Sequence, residues 1–192
     1  PNALNVIPGE VELGIDMRGI DVSGWQSPTV TCTADYDFAV VKATQGTGFT
    51  NGYMTSQARC VQQRGKSLGF YHYAGGGNAT AEADYFVNTV RPYIGRAILV
   101  LDWEGYQNAA WGNSNWVRVF VNRVHARTGV WPLVYTSAAY LYQIPATCAA
   151  TADCGSRSTP TTTPPDTRRD RGTTGATAKP CASTPVTAAL QV

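Results

Sequence analysis

The sequence predicts an α/β fold in which strand and helix units repeat around a parallel sheet. From Arg18 to Tyr142, short and nearly continuous apolar runs alternate with amphipathic stretches, as strands covered on both faces require. Every aromatic residue precedes Pro145, so the packed core has to form from that part of the chain.

Five strands are read in order: "RGIDV" (18–22), "DFAVVKA" (37–43), "SLGFYHYA" (67–74), "AILVLDWE" (97–104) and "PLVYTS" (132–137). Three helices fill the intervals, over residues 54–64, 79–90 and 115–128. The last places Trp116, Val117, Phe120, Val121 and Val124 on one face. Arg123, His125 and Arg127 stand where the helix dipole favours cations, Gly129 suits the C-terminal cap and Pro132 stops continuation. His125 is therefore a helix-end residue, not a ligand. Residues 1–17 read as a lead-in arm, 18–145 as the folded domain, and 146–192 as a low-complexity tail of Thr, Ala, Pro and Arg expected to be disordered.

Composition excludes several functions. A formal charge of +2 with interspersed signs gives no nucleic-acid or membrane-surface footprint. No apolar stretch reaches the roughly 20 residues that a membrane span needs. Beginning at Pro1 without a signal-peptide core, the chain reads as an excised fragment. Its five cysteines match no zinc spacing and two histidines cannot complete one, so no metal and no cofactor are expected. Cys32 and Cys60 either form a disulfide or remain as two buried thiols.

The chemistry concentrates at strand ends. In an extended strand, Asp102 and Glu104 project to one face while Trp103 points to the other. The C-terminal strand ends of a parallel sheet form its ligand mouth, and Asp21 occupies that end of the first strand. Tyr71, Tyr73 and Tyr135 end the third and fifth strands beside them. Singly, each acid also reads as a turn former ahead of Ser23-Gly24 or Gly105. Together, adjacent like charges oppose one another's ionisation, an arrangement suited to glycosidic cleavage by one protonated acid and one anion. Tyrosines supply apolar ring faces with hydroxyl tips for a sugar. His72 alternates away from Tyr71 and Tyr73, which makes it a core histidine, and "AGGGN" (74–78) reads as a flexible connection because it lacks a phosphate loop's Gly-Lys ending.

Taken as an ordered set, "RGIDVSGWQ" (18–26), "FAVVKATQGTGFTN" (38–51), "LGFYHYA" (68–74) and "AILVLDWEG" (97–105) resemble glycoside hydrolase family 25, the bacterial and phage N-acetylmuramidases. The resemblance implies an irregular TIM-like (β/α) barrel, of which this chain holds only the first five strand-helix units. It further implies a lysozyme that cleaves the β-1,4 bond between N-acetylmuramic acid and N-acetylglucosamine. Asp21, Asp102 and Glu104 become its catalytic residues, with Glu104 as proton donor to the leaving sugar. Tyr71, Tyr73, Trp103 and Tyr135 are the candidate substrate-binding residues. The implied enzyme works as a monomer on peptidoglycan glycan strands, extracellularly or at the cell wall, whether secreted or released by phage lysis. Asp16 repeats the Gly-Ile-Asp triplet, but only Asp21 is followed by Val-Ser-Gly-Trp-Gln. Gln45 stands where many members carry Glu.

Three further strands of the family's barrel are missing, and the aromatic-free tail replaces them. Permitted codons for Cys148 to Thr161, read from the third base, yield RSNCGLWVAQYAN, a good buried strand. The same offset turns "KPCASTPVTAALQV" into AMRQYSSHGRIAG, so the tail reads as a frameshifted C-terminal half-barrel starting near Thr147. A chain ending in the tail as written leaves sheet edges open. Two competing functions follow: a decayed barrel that binds wall glycan without cleaving it, and a chitinase-like hydrolase.

Overall fold

The computed structural model describes residues 17–146, 148 and 150–153. The chain runs β1 (Gly19–Val22), α1 (Val30–Thr33), β2 (Phe38–Gln45), β3 (Phe49–Thr50), α2 (Met54–Gln63), β4 (Ser67–Tyr73), α3 (Ala79–Val90), β5 (Ile98–Asp102), α4 (Ser114–Thr128), β6 (Leu133–Ser137) and β7 (Ala150–Asp153). Short 3-10 turns occupy Arg91–Tyr93 and Ala138–Gln143. The five expected strands are β1, β2, β4, β5 and β6, and the three expected helices are α2, α3 and α4.

The strands pair in the order β1-β2-β4-β5-β6-β7, every pair parallel, while β3 folds back antiparallel on the end of β2. Because spatial order follows chain order and parallel crossovers share one hand, the helices collect on one face. The sheet curls around the other face as an incomplete half-barrel of α/β type.

The sheet does not stop at Pro145. Within the stretch expected to be disordered, β7 pairs with β6 from Val134↔Ala150 to Ser137↔Asp153. An edge strand is held by its backbone ladder, so composition alone does not forbid it. Residues 154–192, which hold most of the frameshift reading, and the rival Asp16 lie outside the described residues.

The dry core lies between sheet and helices. Buried α3 residues Ala79, Glu82, Ala83, Phe86, Val87 and Val90 and buried α4 residues Trp116, Val117, Phe120, Val121 and Val124 repeat at helical spacing. They cover Val41, Phe70, His72, Leu101 and Val134, all of which are buried. Both helices begin on asparagine caps, Asn78 accepting from Ala81 N at 2.9 Å and Asn113 from Trp116 N at 3.2 Å. The α4 helix ends as the sequence predicts: Gly129 takes a left-handed φ of 72° and its N–H returns to His125 O at 2.8 Å. His125 stacks on Trp131, ring centroids 3.7 Å apart. Cys32 and Cys60 form a disulfide that joins α1 to α2, which decides between the two readings of these residues.

Candidate active site

Asp102 closes β5, with Tyr73 of β4 and Tyr135 of β6 as its register neighbours. The row of Asp21 instead passes through Val40 and Gly69, four residues below Tyr73 along β4. In a flat sheet that offset alone is about 13 Å. A barrel's strands tilt, so rows drift by about one residue per strand around the curl. Tyr71 registers the result. Its phenol is held far above its ordinary pKa, first by burial and then by the charges of Asp102, Asp21, Glu104 and Tyr73. The three acids nominated from sequence, drawn from two strand ends, thus share one electrostatic neighbourhood.

A cation sits among them. Lys42, register partner of Tyr71, donates to Gln45 Oε1 at 2.7 Å, and its ammonium lies 4.9 Å from the Tyr73 ring centroid and 5.3 Å from that of Phe49. Burial lowers its pKa, while Asp102 and Glu104 act in the opposite sense. Lys42 therefore offsets carboxylate charge inside the curl.

The strand ends at Asp102, two residues earlier than the alternation argument for Glu104 assumes. Loop contacts place Glu104 instead. Trp103 N still donates to Tyr135 O at 2.8 Å, and Asn108 Nδ2 donates to Glu104 O at 3.0 Å. A half-open cavity of about 200 Å³ lies against Glu104, walled also by Tyr106, Trp111, Thr136 and Tyr140. Tyr73 donates to Tyr106 O at 2.6 Å, tying the rim of β4 to the loop after β5.

Trp103 corrects one expectation. It is fully buried behind the wall of this cavity, stacked on Trp116 at 5.4 Å and tilted against Trp111 at 5.6 Å, so no ring face is open to a sugar. The residue that points away from the acids points into the helix layer. Aromatic exposure lies elsewhere on these loops: Trp25 is 93% exposed and Tyr106 75%.

His72 is the core residue that alternation predicts. Its Nδ1 lies 2.7 Å from Thr44 Oγ1 and its Nε2 lies 2.9 Å from Glu82 Oε2. Glu82 also accepts from Gly75 N at 2.9 Å and Gly77 N at 2.7 Å. Burial lowers the pKa of His72. That of Glu82 is also lowered: burial alone would raise it, but the His72 and glycine N–H donors together outweigh this. The "AGGGN" stretch, expected to be flexible, is consequently held on several sides: Trp116 Nε1 donates to Gly77 O at 2.7 Å and Ala109 N to Gly75 O at 3.1 Å. Among the described residues no three His, Cys, Asp or Glu side chains are grouped to hold a metal ion.

Residues 20–154 match the glycosyl hydrolases family 25. The chain belongs to this family. It is 35% identical over 140 residues to the N,O-diacetylmuramidase of Chalaropsis sp, covering 63% of this chain and 66% of that protein. To the N,O-diacetylmuramidase of Arthroderma benhamiae it is 32% identical over 136 residues, covering 63% and 57%. The muramidase structure from Acremonium alcalophilum superposes with a TM-score of 0.57 at 30% identity, covering 66% of this chain and 68% of that one. The chain thus spans 66% and 57% of the two curated relatives' lengths.

Several residues that shape this family 25 site carry no signal in the sequence. Buried amides hold the loops: Gln57 Nε2 donates to Ser23 O at 2.9 Å after β1, Asn51 Nδ2 to Lys42 O at 2.9 Å, and Gln143 Oε1 accepts from Trp103 Nε1 at 2.8 Å. An Asn or Gln in a polar stretch reads as a loop residue until its partners are known. Lys42 had a weak signal, as the single charge inside "FAVVKATQ".

Proposed function

We propose that this chain is the catalytic part of a lysozyme that hydrolyses the β-1,4 bond between N-acetylmuramic acid and N-acetylglucosamine in peptidoglycan. Glu104 gives its proton to the glycosidic oxygen as the sugar C1–O bond breaks, Asp102 and Asp21 stabilise or orient the oxocarbenium-like centre, and water completes the hydrolysis by bonding its oxygen to C1 and releasing a proton that replaces the one Glu104 gave. Tyr71, Tyr73 and Tyr135 present ring faces and hydroxyls to the glycan. The reading is carried by the placement of Asp102 at the end of β5 between Tyr73 and Tyr135, with a cavity of about 200 Å³ against the neighbouring Glu104. Family membership and the names of the muramidase relatives support the substrate class. The protein acts as a monomer outside the cytoplasm or at the cell wall, a placement supported by the Cys32–Cys60 disulfide.

One feature favours a second reading. Among the described residues the strands form an incomplete half-barrel, a groove that can hold wall glycan without cleaving it. Clearing of purified cell walls separates the two. Under the first reading the chain clears walls, and Glu104→Gln abolishes clearing while pull-down on walls persists. Clearing that survives Glu104→Gln removes Glu104 from its role. Pull-down without clearing by the unmodified chain selects the binding protein.

A further inference from the structure

Trp103 stands in the chain between the two acids of the DWE triplet, and one buried side chain holds its indole. Gln143, 3% exposed in the turn after β6, accepts from Trp103 Nε1 at 2.8 Å and from Gly112 N at 3.1 Å through the same oxygen. Both partners are N–H donors, so only the amide oxygen can serve them. Gly112 leads into the Asn113 cap of α4, whose Trp116 stacks on Trp103. The Gln143 oxygen therefore joins three parts: the turn after β6, the start of α4, and the residue flanked by Asp102 and Glu104.

We propose that Gln143 is a positioning residue for catalysis, acting through Trp103 to set the relative placement of the Asp102 and Glu104 carboxylates. The physical basis is short. Trp103 follows the last residue of β5, where the ladder no longer fixes backbone direction beyond its single bond to Tyr135 O. A large ring pinned by stacking and one hydrogen bond on one side, and the Asn108 contact to Glu104 O on the other, replace the ladder in constraining the next residue, Glu104. This inference rests on the hydrolase reading above.

The test compares the unmodified chain with Gln143→Leu and Gln143→Glu, by reducing-end release from purified peptidoglycan and by the indole N–H resonance of Trp103. Gln143→Leu removes the acceptor. It lowers kcat on the order of tenfold to a hundredfold with KM little changed, and shifts the Trp103 resonance. Gln143→Glu keeps an acceptor oxygen in either protonation state and restores both kcat and resonance. A Gln143→Leu protein with unchanged kcat overturns the proposal, as does a folded Gln143→Glu protein as slow as Gln143→Leu. Where Gln143→Leu does not fold, Trp103→Phe removes the donor and keeps a ring; its kcat must fall, and an unchanged kcat overturns the proposal. An unmodified chain that binds walls and releases no reducing ends overturns the hydrolase reading instead, and a catalytic part for Gln143 with it.

Discussion

His72 Nε2 lies 2.9 Å from Glu82 Oε2, and the two side chains are 0% and 1% exposed. Neutral His72 with its proton on Nε2 donates to the Glu82 carboxylate and accepts from Thr44 at Nδ1, which satisfies every ring position. Burial holds His72 below its ordinary pKa of 6.5, so the unfolded chain binds the proton first and stability falls as pH drops through that value. Glu82 is held below its ordinary 4.5; its contribution is complete above that pH and is lost as pH falls further. Thermal unfolding followed from about pH 8 down to about pH 5 should show Tm falling by several degrees. His72→Gln should flatten that slope, and an equal slope in the variant would assign it to other groups.

Gly76 is where the loops after β4 and β5 touch. Its φ is +79°, and a Cβ there would meet Ala110 N at 2.2 Å and Ala109 N at 2.4 Å. Both contacts are backbone and cannot swing aside. Gly76→Ala should destabilise by about 2–4 kcal/mol in denaturant unfolding. Gly112, with φ of +89° and open space around it, is the control: Gly112→Ala should cost only about 1 kcal/mol. Equal losses at the two sites would contradict the close packing of these loops.

The Cys32–Cys60 bond closes a separation of 28 residues. Chain entropy then predicts about 3–4 kcal/mol of stabilisation, lost on reduction or in the Cys32→Ser, Cys60→Ser double variant. Urea midpoints with and without reductant check it. A midpoint insensitive to reductant would show that the bond does not form in solution.

Lys42 is the cation within reach of both acids at the end of β5. Lys42→Met should lower kcat for wall hydrolysis on the order of tenfold while Lys42→Arg keeps more of it, because the charge rather than the shape is at issue. Since burial depresses the ammonium's pKa below its ordinary 10.5, the unmodified chain should also lose activity on the alkaline side before that pH, a limb absent from Lys42→Met. Identical pH profiles for the two would remove Lys42 from the site.

Much of this was legible in the residues. Short near-continuous runs such as "ILVLD", alternating with amphipathic stretches, read as strands covered on both faces, and the spacing of Trp116, Val117, Phe120, Val121 and Val124 reads as one helical face. The same alternation sent His72 into the core. It also turned Trp103 away from the acids, so the inward burial of that ring was implicit in the strand and was overridden by treating it as a sugar platform. The β7 strand and the pinned 74–78 loop were not legible, since the first is held by its backbone ladder and the second by the Glu82 and Trp116 side chains, partners that composition does not report.

By itself the chain's order of residues determined the strand and helix alternation, the cap at Gly129, and which acids stand at strand ends, because those features depend on periodicity and local backbone chemistry. Only the tertiary structure decided that Asp21 shares a field with Asp102 and Glu104, that Lys42 lies among them, and that Gln143 and Asn108 hold the loop that carries Glu104. Those relations join residues far apart in the chain, and the sheet's curl and the crossing of loops, not sequence spacing, set the distances between them.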